Sequence, residues 1–221
     1  MMRRRTNPLI KIVVALALLA GVGFLFVRSV RDTRAEPYTI DRTRLQQWTV
    51  TIEPASTPTA PMLSLRVSPE LASSLFRQVF TRMAESLNAP AVPAVPLVLQ
   101  DEFARAFLGR VTPEALADAA QQAGLESSVL EPRCMAYKRE SAPGVTRQVY
   151  VVLFDAPAFT RFRAQIAALV NTRSDAAAVF EPAALSPVLF VGSSEPAFNR
   201  WLPLRLDPQR DCVAPIVVSD Q

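Results

Sequence analysis

Residues 9–27 form an apolar run broken only by Lys11, and no other stretch of the chain matches it. Such a run predicts a helix that is hydrophobic all round. At 1.5 Å per residue it reaches about 28 Å, the thickness of a bilayer core. Lys11 lies near one end, where its stem lets the ammonium snorkel to the headgroups. Past this run the pattern changes period. Trp48-Thr49-Val50-Thr51-Ile52 alternates apolar and hydroxyl residues, which predicts a half-buried strand. The proline-rich stretch 54–61 cannot continue it and is expected as a loop, and 63–67 reads as a second strand.

Helical period takes over next. Ser68 suits an N-cap, Pro69 the first helical position, and Glu70 the positive helix end. Leu71, Leu75, Val79, Met83 and Leu87 make an apolar stripe, widened by Phe76 and Phe80. Prolines at 90, 93 and 96 then repeat every three residues, the turn of polyproline II, and predict a stiff spacer.

The remainder reads as strand 97–99, a helical piece with Phe103 and Phe107 one turn apart, and a slim alanine-rich helix. That helix begins at Thr112-Pro113-Glu114 and ends at Gly124. Strands 133–139 and 145–154 follow, joined by Pro143-Gly144 as the central pair of a type II turn. The second of these is apolar on both faces over 149–154, which predicts a central strand. Asp155 is expected to cap a helix that buries Phe159, Phe162, Ile166 and Leu169, and 188–191 is the last clear strand. Over 97–192 the order is β-α-β-β-α-β, as in ferredoxin-like folds. The tail, with Trp201 and the run 213–218, reads as an edge strand or strap. The fold class is therefore α+β behind an N-terminal transmembrane helix. Its segments are a tail at 1–8, an anchor at 9–27, a juxtamembrane linker at 28–46, strands, helix and spacer at 47–96, and an α+β domain at 97–221.

Charge gives the anchor its direction. The net charge is +4, and all of the excess sits in Arg3, Arg4, Arg5 and Lys11, since from Arg28 on the bases and acids balance. Positive charge ahead of the span predicts a cytoplasmic N-terminus and an extracytoplasmic domain in a bacterial inner membrane. It removes the motive for a nucleic-acid partner, because that affinity rests on phosphate neutralisation. A cleaved signal peptide is the rival reading. Its nearest small-residue site, Thr33-Arg34-Ala35, lies beyond intervening charges, and Leu19-Ala20-Gly21-Val22 lacks the cysteine of a lipoprotein box. Ala17 and Gly21 are the only pointer to a homodimer of anchors, and such pairs arise by chance in alanine-rich spans.

Outside the cytoplasm, the two cysteines, Cys134 and Cys212, are expected to form one structural disulfide that ties the tail to the sheet. Their wide spacing lacks the Cys-x-x-Cys pattern of redox centres.

The chain has no histidine, which excludes imidazole triads and histidine-held zinc or haem. Lys138 beside the hairpin turn reads as a solvated charge. Asp101, Glu102 and Asp155 are the carboxylates open to acid–base work, although helix termini also explain them. Arg161, Arg163 and Arg173 suggest a basic helix face. No phosphate-binding glycine loop, calcium loop or cofactor motif is present, and no cofactor is expected. The reading is a non-enzymatic module that binds a protein or another envelope component. The alternative is a cofactor-free hydrolase working through carboxylates.

Overall fold

A computed structural model describes residues 8–83, 86–171 and 180–220. The chain divides into two compact units, Met1–Glu36 and Pro37–Gln221.

The first unit holds α1 (Pro8–Ala35). Among the described residues no helix is long and apolar enough to cross a membrane. The expected span 9–27 lies within α1. The expected linker also starts too early, because the helix continues through 28–35.

The second unit begins with β1 (Tyr38–Asp41), where the sequence reading placed polar linker. Tyr38 and Ile40 are buried and Thr39 points out, so the period of two was present in only four residues. There follow β2 (Thr49–Ile52), β3 (Pro61–Arg66), α2 (Pro69–Arg82) and β4 (Ala94–Leu99). After them come α3 (Gln100–Glu102), running into a π turn at Phe103–Phe107, and α4 (Pro113–Gln122). The chain ends with β5 (Glu131–Ala142), β6 (Val145–Asp155), α5 (Pro157–Asn171), β7 (Val188–Ser193), α6 (Pro208–Asp211) and β8 (Cys212–Ser219).

These strands make two sheets, β1-β8-β5-β6-β7 and β2-β3-β4, sharing one hydrophobic core. The fold class is α+β, as read, but the ferredoxin-like topology is not formed. Its first strand would have to join the sheet of β5 and β6. Instead β4 pairs antiparallel with β3, Leu63 opposite Val98 and Leu65 opposite Val95. The prolines at 90, 93 and 96 are not a spacer throughout, since β4 takes in 94–96. Segments 47–96 and 97–221 lie within the same unit.

The tail is likewise no strap. β8 lies inside the larger sheet, paired antiparallel with β5 through Cys212, Ala214 and Pro215 and parallel with β1 from Ile216 to Ser219. Pro215, which has no N–H to give, sits where the pairing changes partner.

Local signals were more dependable. Ser68 accepts from the Glu70 N–H at 3.2 Å, and Leu71, Leu75 and Val79 are buried, although Phe80 stays 49% exposed. Thr112 caps α4 through the Ala115 N–H at 3.2 Å. At its other end Gly124 takes φ +77° while Leu125 N–H reaches the Ala120 carbonyl at 3.2 Å, the Schellman arrangement. In the β5–β6 hairpin Gly144 has φ +79°, as a type II turn requires. β6 runs between β5 and β7 with residues 149–154 all buried.

Two helix details differ from expectation. α5 starts at Pro157, so Asp155 ends β6 and does not cap the helix. Val170 is buried on α5, whereas Leu169 is 58% exposed.

Candidate functional site

The acids singled out for catalysis are dispersed and paired. Asp101 binds Arg105 at 2.6 Å on the surface, and Asp155 faces Arg133 at 3.2 Å. Glu102 is buried against Arg163, with Nη2–Oε1 at 2.7 Å and Nη1–Oε2 at 3.2 Å. Arg163 is 0% exposed, so the expected basic face loses its middle residue. Arg161 remains exposed on α5, and Arg173 lies outside the described residues. So do Arg3, Arg4 and Arg5; Lys11 is described only as part of the α1 backbone. Lys138 approaches Asp211 at 3.9 Å. Cys134 and Cys212 form the disulfide, their Cα atoms 5.8 Å apart.

The carboxyls that their surroundings displace are moved down, away from the range of a general base. A cavity of about 110 Å³ is lined by Glu102 and Glu181, but Arg163 holds the first and Arg205, at 2.5 Å, the second. That volume suits a few waters, well below the usual 300 Å³ or more of a ligand site. Hydrogen bonding from Arg66 holds the Glu53 carboxyl below its ordinary range, against the opposing effect of burial and with help from Ser64. Burial pushes Asp211 up, but the Arg210 hydrogen bond, the Asp207 N–H and the charge of Lys138 together bring it below its usual value. Asp41 and Glu70 are also lowered, chiefly by hydrogen bonds from Thr43 and Ser68 respectively. A carboxylate base near neutral pH needs the opposite displacement. Among the described residues no three His, Cys, Asp or Glu side chains converge as a metal site.

Each outer edge of the two sheets is met by side chains or by a single bridging residue. On β1, Thr39 gives its N–H to Gln78 Oε1 at 2.9 Å and accepts from Gln78 Nε2 at 2.9 Å, so an amide side chain stands in for a strand. On β2, the Val50 N–H is taken by Glu126 at 2.7 Å. On β4 the ion pair does this work: Arg163 donates to the Leu97 carbonyl at 2.8 Å and Glu102 accepts the Leu99 N–H at 3.0 Å. On β7, Ser193 is bridged by Asn88, with N–H···O distances of 2.7 and 3.0 Å. Each edge is thus interrupted at one or two residues, which breaks the row of groups that a partner strand would pair with.

The chain does present an apolar groove of about 500 Å³. One wall is Pro90, Ala91 and Val92, and the other is Pro196, Ala197 and Phe198, with Phe190 and Leu202 between them. Phe190 and Phe198 meet edge to face at 5.6 Å, and Val92 is 55% exposed. Asn199 Nδ2 donates to Thr57 Oγ1, tying the 54–60 loop to the Phe198–Trp201 turn. Trp201 fixes the base of that turn by donating to Ser193 Oγ at 3.0 Å. A second cavity, about 240 Å³, continues past Val92 and Ala94 to Glu53 and Ser64. None of the groove's lining residues is charged.

No local pattern marks this groove, because its walls come from segments more than a hundred residues apart. The only local signal was the proline period, which predicted stiffness and gave no hint of a facing wall. No family model, curated protein or solved structure matches the chain, so its function has to be argued from this geometry.

Proposed function

We propose that the chain is a single-pass, membrane-tethered binding module of the bacterial envelope. Residues 9–27 serve as an uncleaved anchor with the N-terminus in the cytoplasm, and residues 37–221 are presented outside as a non-enzymatic domain for a protein or other envelope component. The groove between Val92 and Phe198 carries this reading, as a solvent-open apolar trough on an otherwise well-satisfied domain. The disulfide supports an oxidising compartment. The anchor rests on the sequence of 9–27, apolar but for Lys11 and about as long as a bilayer core is thick. The carboxylate hydrolase has no observation in its favour, since its acids are held by arginines.

The test is proximity labelling from the outer domain in the native host, comparing wild type with Val92→Glu. Neighbours lost in the variant support the groove, and an unchanged set overturns it. A membrane-impermeant thiol reagent, added to intact cells after reduction, reads topology separately. Labelling only after lysis would put the domain inside.

A further inference from the structure

We propose that residues 54–57 are a lid on the groove, held shut by the hydrogen bond from Asn199 to Thr57, and that releasing it joins the groove to the cavity beside it; the inference rests on the binding reading above and adds the regulation of that site. The segment hangs between two fixed posts. Glu53 gives its N–H to the Met62 carbonyl and Asp101 gives its N–H to the Pro58 carbonyl, both at 2.9 Å. Between them, the exposed residues Ala55, Ser56 and Thr57 give their N–H groups to no acceptor among the described residues. Gln100 Nε2 reaches the Pro54 carbonyl only at 3.5 Å, the outer limit of a hydrogen bond. The polar tie that remains is Asn199 Nδ2 on Thr57 Oγ1, between two neutral side chains at the surface. A segment with so few backbone bonds opens at little cost, and one neutral hydrogen bond sets the balance.

Its position gives the opening a consequence. Ser56 and Pro61 line both the 500 Å³ groove and the 240 Å³ cavity, as do Val92 and Ala94. The loop therefore stands between two spaces that share a floor, with Glu53 and the fully buried Ser64 on the far side. The facing turn is the firm partner, since Trp201 donates to Ser193 Oγ at 3.0 Å and Leu202 gives its N–H to the Asn199 carbonyl at 3.1 Å. Pro54 and Pro58 have a fixed φ, and Thr57, preceding Pro58, is confined to extended backbone, so the swing falls on Ala55 and Ser56. Lifted, the lid turns an apolar groove into a longer trough that ends on a hydroxyl and a carboxylate.

The experiment uses the full chain in phospholipid nanodiscs carrying Ser64→Cys, whose thiol is the only free one because Cys134 and Cys212 are bonded to each other. Its alkylation by iodoacetamide reads access beneath the lid. Asn199→Ala and Thr57→Val should each speed alkylation roughly 2- to 10-fold, the worth of one neutral hydrogen bond. The double variant should be no faster than either, because both remove the same bond. Val79→Cys, buried on α2, replaces Ser64→Cys in a parallel series that reports unfolding of the whole domain, and its rate should not respond to Asn199→Ala. In the native host, Asn199→Ala should raise the proximity labelling of those neighbours that Val92→Glu loses. Alkylation of Ser64→Cys indifferent to both releasing variants, or accelerated only in step with Val79→Cys, overturns the lid, and neighbours that still depend on Val92 leave the binding reading standing. Faster alkylation with labelling unaltered by Asn199→Ala overturns the lid's control of the groove. Neighbours indifferent to Val92→Glu overturn the binding reading itself, whatever the alkylation rates.

Discussion

Arg163 gives Glu102 two of its N–H groups, and the pair together completes the outer edge of β4. The remaining guanidinium donors go to the Leu97, Glu181 and Pro182 carbonyls at 2.8, 2.9 and 2.7 Å, so all five N–H groups are used. Phe180 covers the guanidinium face at 4.5 Å. One side chain on α5 thus holds a strand, a helix start and the 180–182 segment at a single point.

Arg163→Met is therefore expected to cost about 3–5 kcal/mol, because it strands a buried carboxylate. Replacing an ordinary buried ion pair by apolar residues often restores stability. Here the double variant Arg163→Met with Glu102→Leu should remain destabilised, since three carbonyls and the Leu99 N–H lose their partners. Urea unfolding of the wild type, single and double variants measures this. A double variant as stable as wild type would reduce the pair to a replaceable contact.

Gln78 gives a milder test of edge closure. Gln78→Leu removes both bonds to the Thr39 backbone and the longer one from its hydroxyl and should cost roughly 1–2 kcal/mol, with faster hydrogen exchange at the Thr39 amide. Gln78→Glu can still accept from the Thr39 N–H but cannot donate to its carbonyl, so it should protect that amide and recover only part of the stability. Exchange of Thr39 unaltered in Gln78→Leu would mean that the edge is closed by something else.

Why the strands were legible and their partners were not follows from where the information lies. Thr49–Ile52 and Val145–Asp155 announce themselves by local period, and Ser68, Thr112, Gly124 and Gly144 act within a few residues of their own position. The outer edge of β4 is met by Arg163, 66 residues away, and on a helix an arginine that binds a buried glutamate looks the same in sequence as one facing water. β1 was hidden for a related reason. Its burial comes from β8, 178 residues later, and only Tyr38 and Ile40 carry its pattern. The cysteine pairing was legible because two cysteines allow a single intramolecular bond. The groove was not, because its neutrality is a property of distant segments taken together.

The disulfide should matter most to the two strands at the end of the sheet. Cys212 opens β8, and among the described residues β8 is the only strand that pairs with β1. In the chain-entropy picture, closing a loop of about 79 residues stabilises by roughly 4 kcal/mol. Replacing both cysteines by serine should lower the urea midpoint accordingly. In hydrogen exchange, the amides of β1 and β8 should open before those of β5 and β6. Uniform loss of protection across the larger sheet would show that the bond acts only on the unfolded chain.

Of the four lowered carboxyls, Glu53 and Asp211 are the less exposed and should weigh most on the acid side of the stability profile, ahead of Asp41 and Glu70. Arg66 holds Glu53 below its ordinary 4.5 in the folded chain, and Asp211 lies below its ordinary 3.8 because its hydrogen bonds and Lys138 outweigh burial. A carboxyl with a depressed folded value contributes stability that is fully present above its unfolded value and disappears as pH falls through the folded one. Stability is therefore expected to hold level above about pH 5 and to decline as the medium is acidified below about 4.5, Glu53 first. Glu53→Gln keeps the shape of the side chain but removes the charge that binds Arg66. It should cost on the order of 1 kcal/mol at pH 7, because Arg66 is partly in solvent. The cost should shrink as pH falls, bringing the variant and wild-type curves together in acid. Urea unfolding at pH 7, 5, 4 and 3 compares the two directly. Parallel curves over that whole range would remove Glu53 from the account and leave the acid limb to Asp211.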